Sequence, residues 1–359
     1  MNIDPQTPYN ELPELPPKQD VESKEVLRAS IAANKALAEL KGLAQTIPNQ
    51  SIFINTLSIK EAQYSSEIEN IITTTDELYQ ALSFADQELS SSAKEVMQYR
   101  SALWEGHSLL MDRGILTTNV INAIQSELLK NNAGIRSLPG TALKNAINGD
   151  TIYTPPSGKD IIENMLKNLE DYIHSEDIDP LIKLAVIHYQ FEAIHPYYDG
   201  NGRTGRILNV LYLVHQRLLD LPILYMSHYI IKNKENYYKL LRGVTFKQEF
   251  EPWILYMLAC IEDSAKETIS KIQAIQSLMT EVREKIKAEL PKLYSKELVE
   301  VLFQQPYCKV KFLEDAGIVK RQTASEYLYQ LEQIGILSSK KIGRENMFLN
   351  VRLFELFKG

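Results

Sequence analysis

The chain has few of the features that would settle its class at once. Only two of its 359 residues are cysteines, Cys260 and Cys308, far apart and without metal-ligand spacing. A disulfide framework is therefore not expected, and a reducing compartment fits. No apolar run approaches the roughly 18 residues that a membrane span needs, so no membrane partner is expected. Positive charge is not in surplus: the net charge is −7, which excludes a generic binder of nucleic acid or anionic membrane. The P-loop pattern G-x-x-x-x-G-K-[ST] is absent, as are long repeats and low-complexity tracts. The first twenty residues, MNIDPQTPYNELPELPPKQD, lack the basic and apolar regions of a signal peptide, so a cytoplasmic location is expected.

What is present is ordinary globular material, 44% apolar and 24% charged, long enough for two or three domains. Residues 1–20 are Pro-rich and read as an extended arm. From there to about 290 the pattern is mostly helical. VESKEVLRASIAANKALAELKGL, SIKEAQYSSEIENII and SSAKEVMQYRSALWEGHSLLMDRG each predict a helix, the last stopping at Gly114. TTNVINAIQSELLK begins with a capping Thr or Asn. In TALKNAINGDTIYTPP, Asn148-Gly149 between two short β-type runs predicts a hairpin that Pro155-Pro156 ends. IDPLIKLAVIHYQFEAI predicts a helix capped by Asp179, with Pro180 at its first position.

That helix runs into HPYYDGNGRTGR, from His195 to Arg206, the stretch densest in reactive and flexible residues. Gly200, Gly202 and Gly205 let the backbone turn and approach a ligand closely, and successive N–H groups in such a turn form an anion nest. A helix opens here, and its N-terminus adds partial positive charge and free donors. Arg203 and Arg206, three apart, can lean toward one anion and fork onto phosphate oxygens. Asp199 is a hard oxygen ligand beside the nest, and one carboxylate plus substrate phosphates is a usual way to hold Mg²⁺. His195 supplies an imidazole, the usual general base near neutral pH. A polyphosphate, a magnesium ion and a base define a phosphoryl- or nucleotidyl-transfer site. GNGRTG also matches G-x-G-x-x-G, with acidic Asp220 about twenty residues on. That fingerprint follows a strand, however, whereas this one follows a capped helix, and the dinucleotide reading is set aside.

His195 to Arg206 resembles the signature of Fic domains, H-P-F-x-[DE]-G-N-G-R-x-x-R, with Tyr197 where Phe is usual. The resemblance covers most of residues 20–290 in helix order and includes the hairpin. It implies a mainly α fold: a Fic-type helical core with a small β-hairpin flap. It also implies protein adenylylation, in which a Ser, Thr or Tyr hydroxyl of a target protein, or of the chain itself, attacks the α-phosphate of ATP. By the resemblance, His195 takes the hydroxyl proton and Asp199 holds Mg²⁺. Gly200, Asn201, Gly202, Thr204 and Gly205 form the ATP loop, and Arg203 and Arg206 neutralise the outer phosphates. Tyr237 and Tyr238 are carried over to the nucleoside; they point about 100° apart on a helix, so one faces the base and one packs. The flap, about Thr141 to Thr154, pairs with the target by strand addition, with Thr151, Ile152 and Tyr153 nearest the nucleotide.

SSEIEN, Ser65 to Asn70, resembles the family's inhibitory helix, [ST]-x-x-x-E-[GN], here expected at about residues 58–72. Ser65 and Glu69 are i and i+4 and share one helix face. The resemblance pairs Glu69 with Arg206, and one arginine fork cannot serve a carboxylate and a phosphate together. In some members the same glutamate aligns water to remove AMP, so a de-AMPylating activity stays open.

From Lys292 to Gly359 the chain turns basic, with eleven Lys/Arg against eight Asp/Glu. Three helical runs and two β runs, ILSSKK and NMFLN, predict a C-terminal winged-helix domain. The expected division is residues 1–95, an N-terminal helical region; 96–290, the catalytic core; and 291–359, the winged helix-turn-helix. Lys320, Arg321, Gln322, Thr323 and Ser325, with Lys340, Lys341 and Arg344, are candidates for DNA contact, and protein contact is the alternative. Tyr327, Leu328, Leu331 and Ile334 are expected in the core. Two functions of different classes therefore compete: an ATP-using adenylyltransferase, and a DNA-binding regulator whose core senses nucleotide. Donors such as phosphocholine or UMP form a third reading, and a homodimer is left open.

Overall fold

The computed structural model describes residues 3–47, 49–83, 89–144, 149–175, 178–342 and 345–358. The order is α1 (Lys24–Gln45), α2 (Ser51–Ile68), α3 (Thr75–Ser83), α4 (Ser91–Arg113), α5 (Thr118–Leu129), β1 (Leu143–Lys144), β2 (Thr151–Tyr153), α6 (Lys159–His174), α7 (Pro180–Ile194) and α8 (Asn201–His215). There follow α9 (Ser227–Lys232), α10 (Lys234–Lys247), α11 (Phe250–Glu289), α12 (Lys296–Gln304), β3 (Tyr307–Cys308), α13 (Val310–Asp315), α14 (Arg321–Gln333), β4 (Ser338–Ile342), β5 (Glu345–Leu349) and α15 (Val351–Lys358). The chain is mainly α, as expected. No described helix is long and apolar enough to cross a membrane.

Local chemistry sets most boundaries. Thr117 caps α5 by accepting from the Val120 N–H, and Asp179 caps α7 by accepting from the N–H groups of Leu181 and Ile182. Gly114 ends α4 in the left-handed conformation. Nearly every side chain of α7 and α8 is buried, so these two helices form the centre of the molecule. The amphipathic helices α4, α5, α6 and α11 pack around them. The 40-residue α11 carries the chain from this core to the C-terminal elements.

Three expectations need correction. The helix placed at about 58–72 starts earlier, at Ser51, and stops at Ile68. Its end is a Schellman turn: the Asn70 N–H bonds the Glu67 carbonyl and the Ile71 N–H bonds the Ser66 carbonyl. Asn70 has φ 63°, which explains why Asn or Gly suits that position. The N-terminal arm lacks regular structure but is not free. Tyr9, Leu12 and Leu15 are buried, and the Tyr9 N–H bonds the Thr154 carbonyl. The two β runs of the tail are joined by a third strand, giving the antiparallel order β3-β5-β4. The hairpin β1-β2 is present, but Asn148 lies outside the described residues, as does Arg344.

Candidate active site

The opening turn is a helix end, a tight turn and a helix start. His195 caps α7 with φ 50°, its N–H bonded to the Phe191 carbonyl. A left-handed histidine costs energy and persists only where the surroundings enforce it. Here the enforcement comes from Arg136. Its Nε donates to the His195 carbonyl at 2.7 Å, and its guanidinium also donates to the carbonyls of Ile194 and Pro156. The Asn201 side chain staples the next turn, accepting from the Tyr197 N–H and donating to the Tyr197 carbonyl, both at 2.8 Å. Tyr197 is buried and its hydroxyl donates to Asn122 at 2.7 Å, so the aromatic packing expected of this position survives the change from Phe. Gly200 then adopts φ 76° as the N-cap of α8. At Gly202 a Cβ would lie 2.5 Å from Glu69 Oε1. The missing side chain is what lets the carboxylate approach.

Charge is arranged unevenly across this turn. Burial pushes the His195 imidazole down to about 4, and the Arg136 charge pushes it the same way. At neutral pH the ring is therefore neutral and able to accept a proton. Its Nδ1 is buried without a hydrogen-bond partner among the described residues. The Asp199 side chain is 74% exposed; one oxygen accepts from the Gly200 N–H and the other is 4.0 Å from Arg203. No cluster of three or more His, Cys, Asp or Glu suited to a metal occurs among the described residues. A lone exposed carboxylate suits a cation only where phosphate and water complete its shell.

The two arginines are both nearly inaccessible but differently engaged. Arg206 donates from Nε to Ser65 Oγ at 2.8 Å, and from one terminal nitrogen to the Ser65 carbonyl at 3.0 Å and to Glu69 Oε1 at 2.8 Å. Burial raises the Glu69 carboxyl, but the Arg206 charge and hydrogen bond more than offset it, and the net shift is downward. Arg203 is held by its other terminal nitrogen, 3.1 Å from Glu95 of α4.

Helix α2 is itself anchored. The buried Glu61 carboxylate accepts from Tyr99 at 3.1 Å and from the N–H of Ser227 at 3.0 Å, and also from the Ser227 hydroxyl. Tyr64 stacks on His228 with ring centroids 4.4 Å apart, and Lys234 takes the Ile68 carbonyl at the end of α2. Glu61, Ser65 and Glu69 follow at intervals of four, so one face carries both anchor and clamp.

The remaining expected residues divide. Tyr237 is buried, with its hydroxyl 2.7 Å from His188 Nε2, so it is the tyrosine that packs, while Tyr238 is 39% exposed. Tyr153 turns inward and donates to the Ala193 carbonyl at 2.8 Å, leaving Thr151 and Ile152 as the more accessible part of β2. Thr204 and Gly205 lie buried on α8, where a Gly205 Cβ would meet Glu192 Oε1 at 2.6 Å. Sequence reasoning missed Arg136, Glu95, Glu61 and Glu192. Burial pushes the Glu192 carboxyl up to about 7, and its Oε1 has no partner among the described residues. Only Glu192 carried a signal, being three residues before His195 on the same helix.

Comparison with known proteins agrees with this geometry. Residues 115–213 match the Fic/DOC family, residues 27–108 the N-terminal region of the Fic/DOC family, and residues 278–353 the C-terminal domain of SoFic-like protein adenylyltransferases. The chain carries a Fic/DOC domain, with the family's N-terminal region before it and a SoFic-like domain after it. Among relatives, a probable protein adenylyltransferase from Aquifex aeolicus is 27% identical over 53% of this chain and 56% of its own length. Protein adenylyltransferase fic-1 of Caenorhabditis elegans is 29% identical over 38% of this chain and 28% of its own. The matches thus span about half or less of those relatives. A Fic family protein from Desulfovibrio desulfuricans G20 shares the fold over 93% of this chain and 98% of its own, with TM-score 0.61 at 17% identity. Residues 134–508 of C. elegans Fic-1 do so over 69% and 73%, with TM-score 0.52 at 18% identity.

Proposed function

We propose that this chain is a Mg²⁺-ATP-dependent protein adenylyltransferase, held inactive by Glu69 and Ser65 of α2. The observation that carries the reading is the turn from His195 to Arg206. It sets a neutral imidazole, a solvent-facing carboxylate, a glycine nest and two arginines around one helix N-terminus. A target Ser, Thr or Tyr hydroxyl forms the new bond from its oxygen to the α-phosphorus of ATP. The bond from that phosphorus to the β-phosphate bridging oxygen breaks, pyrophosphate leaves with the electron pair, and the hydroxyl proton passes to His195. The N–H groups at the start of α8 and the arginines stabilise charge as it moves to the leaving group. Asp199 would hold magnesium, which when bound offsets charge on the phosphates. The hairpin β1-β2 offers main-chain groups to an extended target segment, with Thr151 and Ile152 facing it.

Inhibition follows from donor counting. The Nε and terminal nitrogen of Arg206 that would fork onto a phosphate are already given to Ser65 and Glu69. The test is incubation of wild type, Glu69→Gly and His195→Ala with ATP labelled at the α-phosphate. AMP on Glu69→Gly, little on wild type and none on His195→Ala is the expected result. No label on any of them, with a known target present, would overturn the reading.

We read residues 291–359 as a winged-helix module, because α12, α13 and α14 precede the β4-β5 ribbon in that order. A groove of about 540 Å³ between α13, α14 and β5 is lined by Lys311, Arg321, Ser325, Tyr329, Asn346 and Phe348 among others. On its wall Lys309, Lys311 and Arg321 face Glu314 and Asp315, and the exposed Lys320, Lys340 and Lys341 outside that lining add positive charge, which favours an anionic partner. Salt-sensitive binding to random duplex DNA checks this, and its absence favours protein contact.

A further inference from the structure

We propose that Glu95 is a positioning residue, which holds Arg203 so that its Nε and its other terminal nitrogen face the phosphates of a nucleoside triphosphate. The inference rests on the adenylyltransferase reading of the site. Its basis is the difference between the two arginine contacts. Arg206 is gripped along the edge formed by Nε and one terminal nitrogen, the edge that forks onto an oxyanion. Among the described residues Arg203 is hydrogen-bonded at a single terminal nitrogen, by Glu95 Oε2 at 3.1 Å, and its other terminal nitrogen is 4.0 Å from Asp199.

Three features make that contact directive rather than obstructive. The Arg203 side chain is 4% exposed, so it has little room for other rotamers. Its Nε is buried and has no hydrogen-bond partner among the described residues. A buried, charged donor without an acceptor is costly, and a phosphate oxygen in the nest would satisfy it. Its second terminal nitrogen lies 4.0 Å from Asp199, on the side where the phosphates and their cation would sit. Glu95 lies near the start of α4, 108 residues before Arg203, and its own side chain is 37% exposed. It can therefore hold the guanidinium from behind while solvent shields its charge from the anion in front. Pre-orientation of this kind spares the ordering cost at binding.

The test uses the full chain in the Glu69→Gly background, with Glu95→Ala and Glu95→Gln added. ATP and AMP affinities are measured by calorimetry, and KM and kcat are taken from transfer of α-labelled ATP. Glu95→Ala is expected to weaken ATP binding about tenfold, the scale of one lost charge-assisted bond. AMP binding should stay unchanged, because AMP lacks the outer phosphates. KM should rise with kcat little altered, and Glu95→Gln, which keeps an acceptor, should recover part of the affinity. Equal losses for ATP and AMP would mean a structural role and overturn the proposal. Unchanged ATP binding would do the same, and tighter binding would make Glu95 a second blocking carboxylate. If Glu69→Gly transfers no label, the adenylyltransferase reading falls, while the contrast between ATP and AMP still decides what Glu95 does.

Discussion

Arg203 and Arg206 stand one turn apart on α8, equally enclosed, and the regions that hold them have opposite designs. Helix α2 meets Arg206 with a serine hydroxyl, a carbonyl and a carboxylate, and it is fixed to the core by Glu61, Tyr64 and the Lys234 contact. Helix α4 meets Arg203 with one carboxylate oxygen. Orientation of an arginine needs a single contact; occupation of it needs the whole fork. What an ion pair does to a site thus depends on which nitrogens it takes.

The most direct way to break this contrast is Glu69→Gly, which takes the carboxylate off Arg206 and leaves it only the Ser65 contacts. Self-adenylylation should rise on the order of 100-fold, the scale of a lost charge-assisted contact, as read by label from α-labelled ATP. In that background Arg206→Lys should lower the rate by about tenfold, because an ammonium cannot fork onto phosphate; KM for ATP is the readout. Gly202→Ala sharpens the contrast through packing. Its Cβ would meet Glu69 Oε1 at 2.5 Å, so the substitution should cost ~1 kcal/mol or more in the wild type. The loss should be smaller beside Glu69→Gly, a non-additivity visible in denaturant unfolding. Glu61→Ala removes three hydrogen bonds from Ser227 and Tyr99, about 1 kcal/mol each, and should raise basal labelling by only a few-fold, since Ser65 and Glu69 remain.

The smallest effect is expected from pH. The folded-state value of Glu69 lies below its ordinary one. Its pairing therefore contributes fully above the ordinary value and is lost only as pH falls through the lowered one. Inhibition of the wild type should stay constant from pH 8 to about pH 5. The Glu69→Gly rate should have its acid limb at or below the His195 value of about 4 rather than near 6.5, because the Glu69 charge is one of those that raise it. An acid limb near 6.5 would show that the ring is not desolvated.

Legibility in the sequence followed the range of the interaction. Helix ends at Asp179 and Gly114 were readable because they act within four residues, and the cap of α5 was narrowed to a Thr or Asn, of which Thr117 is the one. The turn from His195 to Arg206 was readable because its glycines, cap and charges are contiguous. Four short elements were not: α3, α9, β3 and α15 carried no cap or turn signal that was read, although α13, equally brief, was expected. The end of α2 was overshot by four residues, because Asn70 was not read as a left-handed stop. Tyr153 was expected near the nucleotide, yet its hydroxyl is bonded to Ala193, a partner 40 residues away.

By itself the sequence determined a helix–turn–helix with an anion nest, an imidazole, a carboxylate and two arginines, because backbone geometry and capping act locally. Only the tertiary structure decided which nitrogens of those arginines are taken. Ser65 and Glu69 reach Arg206 across 141 and 137 residues, and Arg136 and Glu95 reach the turn across 59 and 108. The stretch SSEIEN pointed to the pairing of Glu69 with Arg206, but the Arg136 and Glu95 contacts leave no local pattern, since they depend on how α4 and the loop bearing Arg136 pack against α7 and α8.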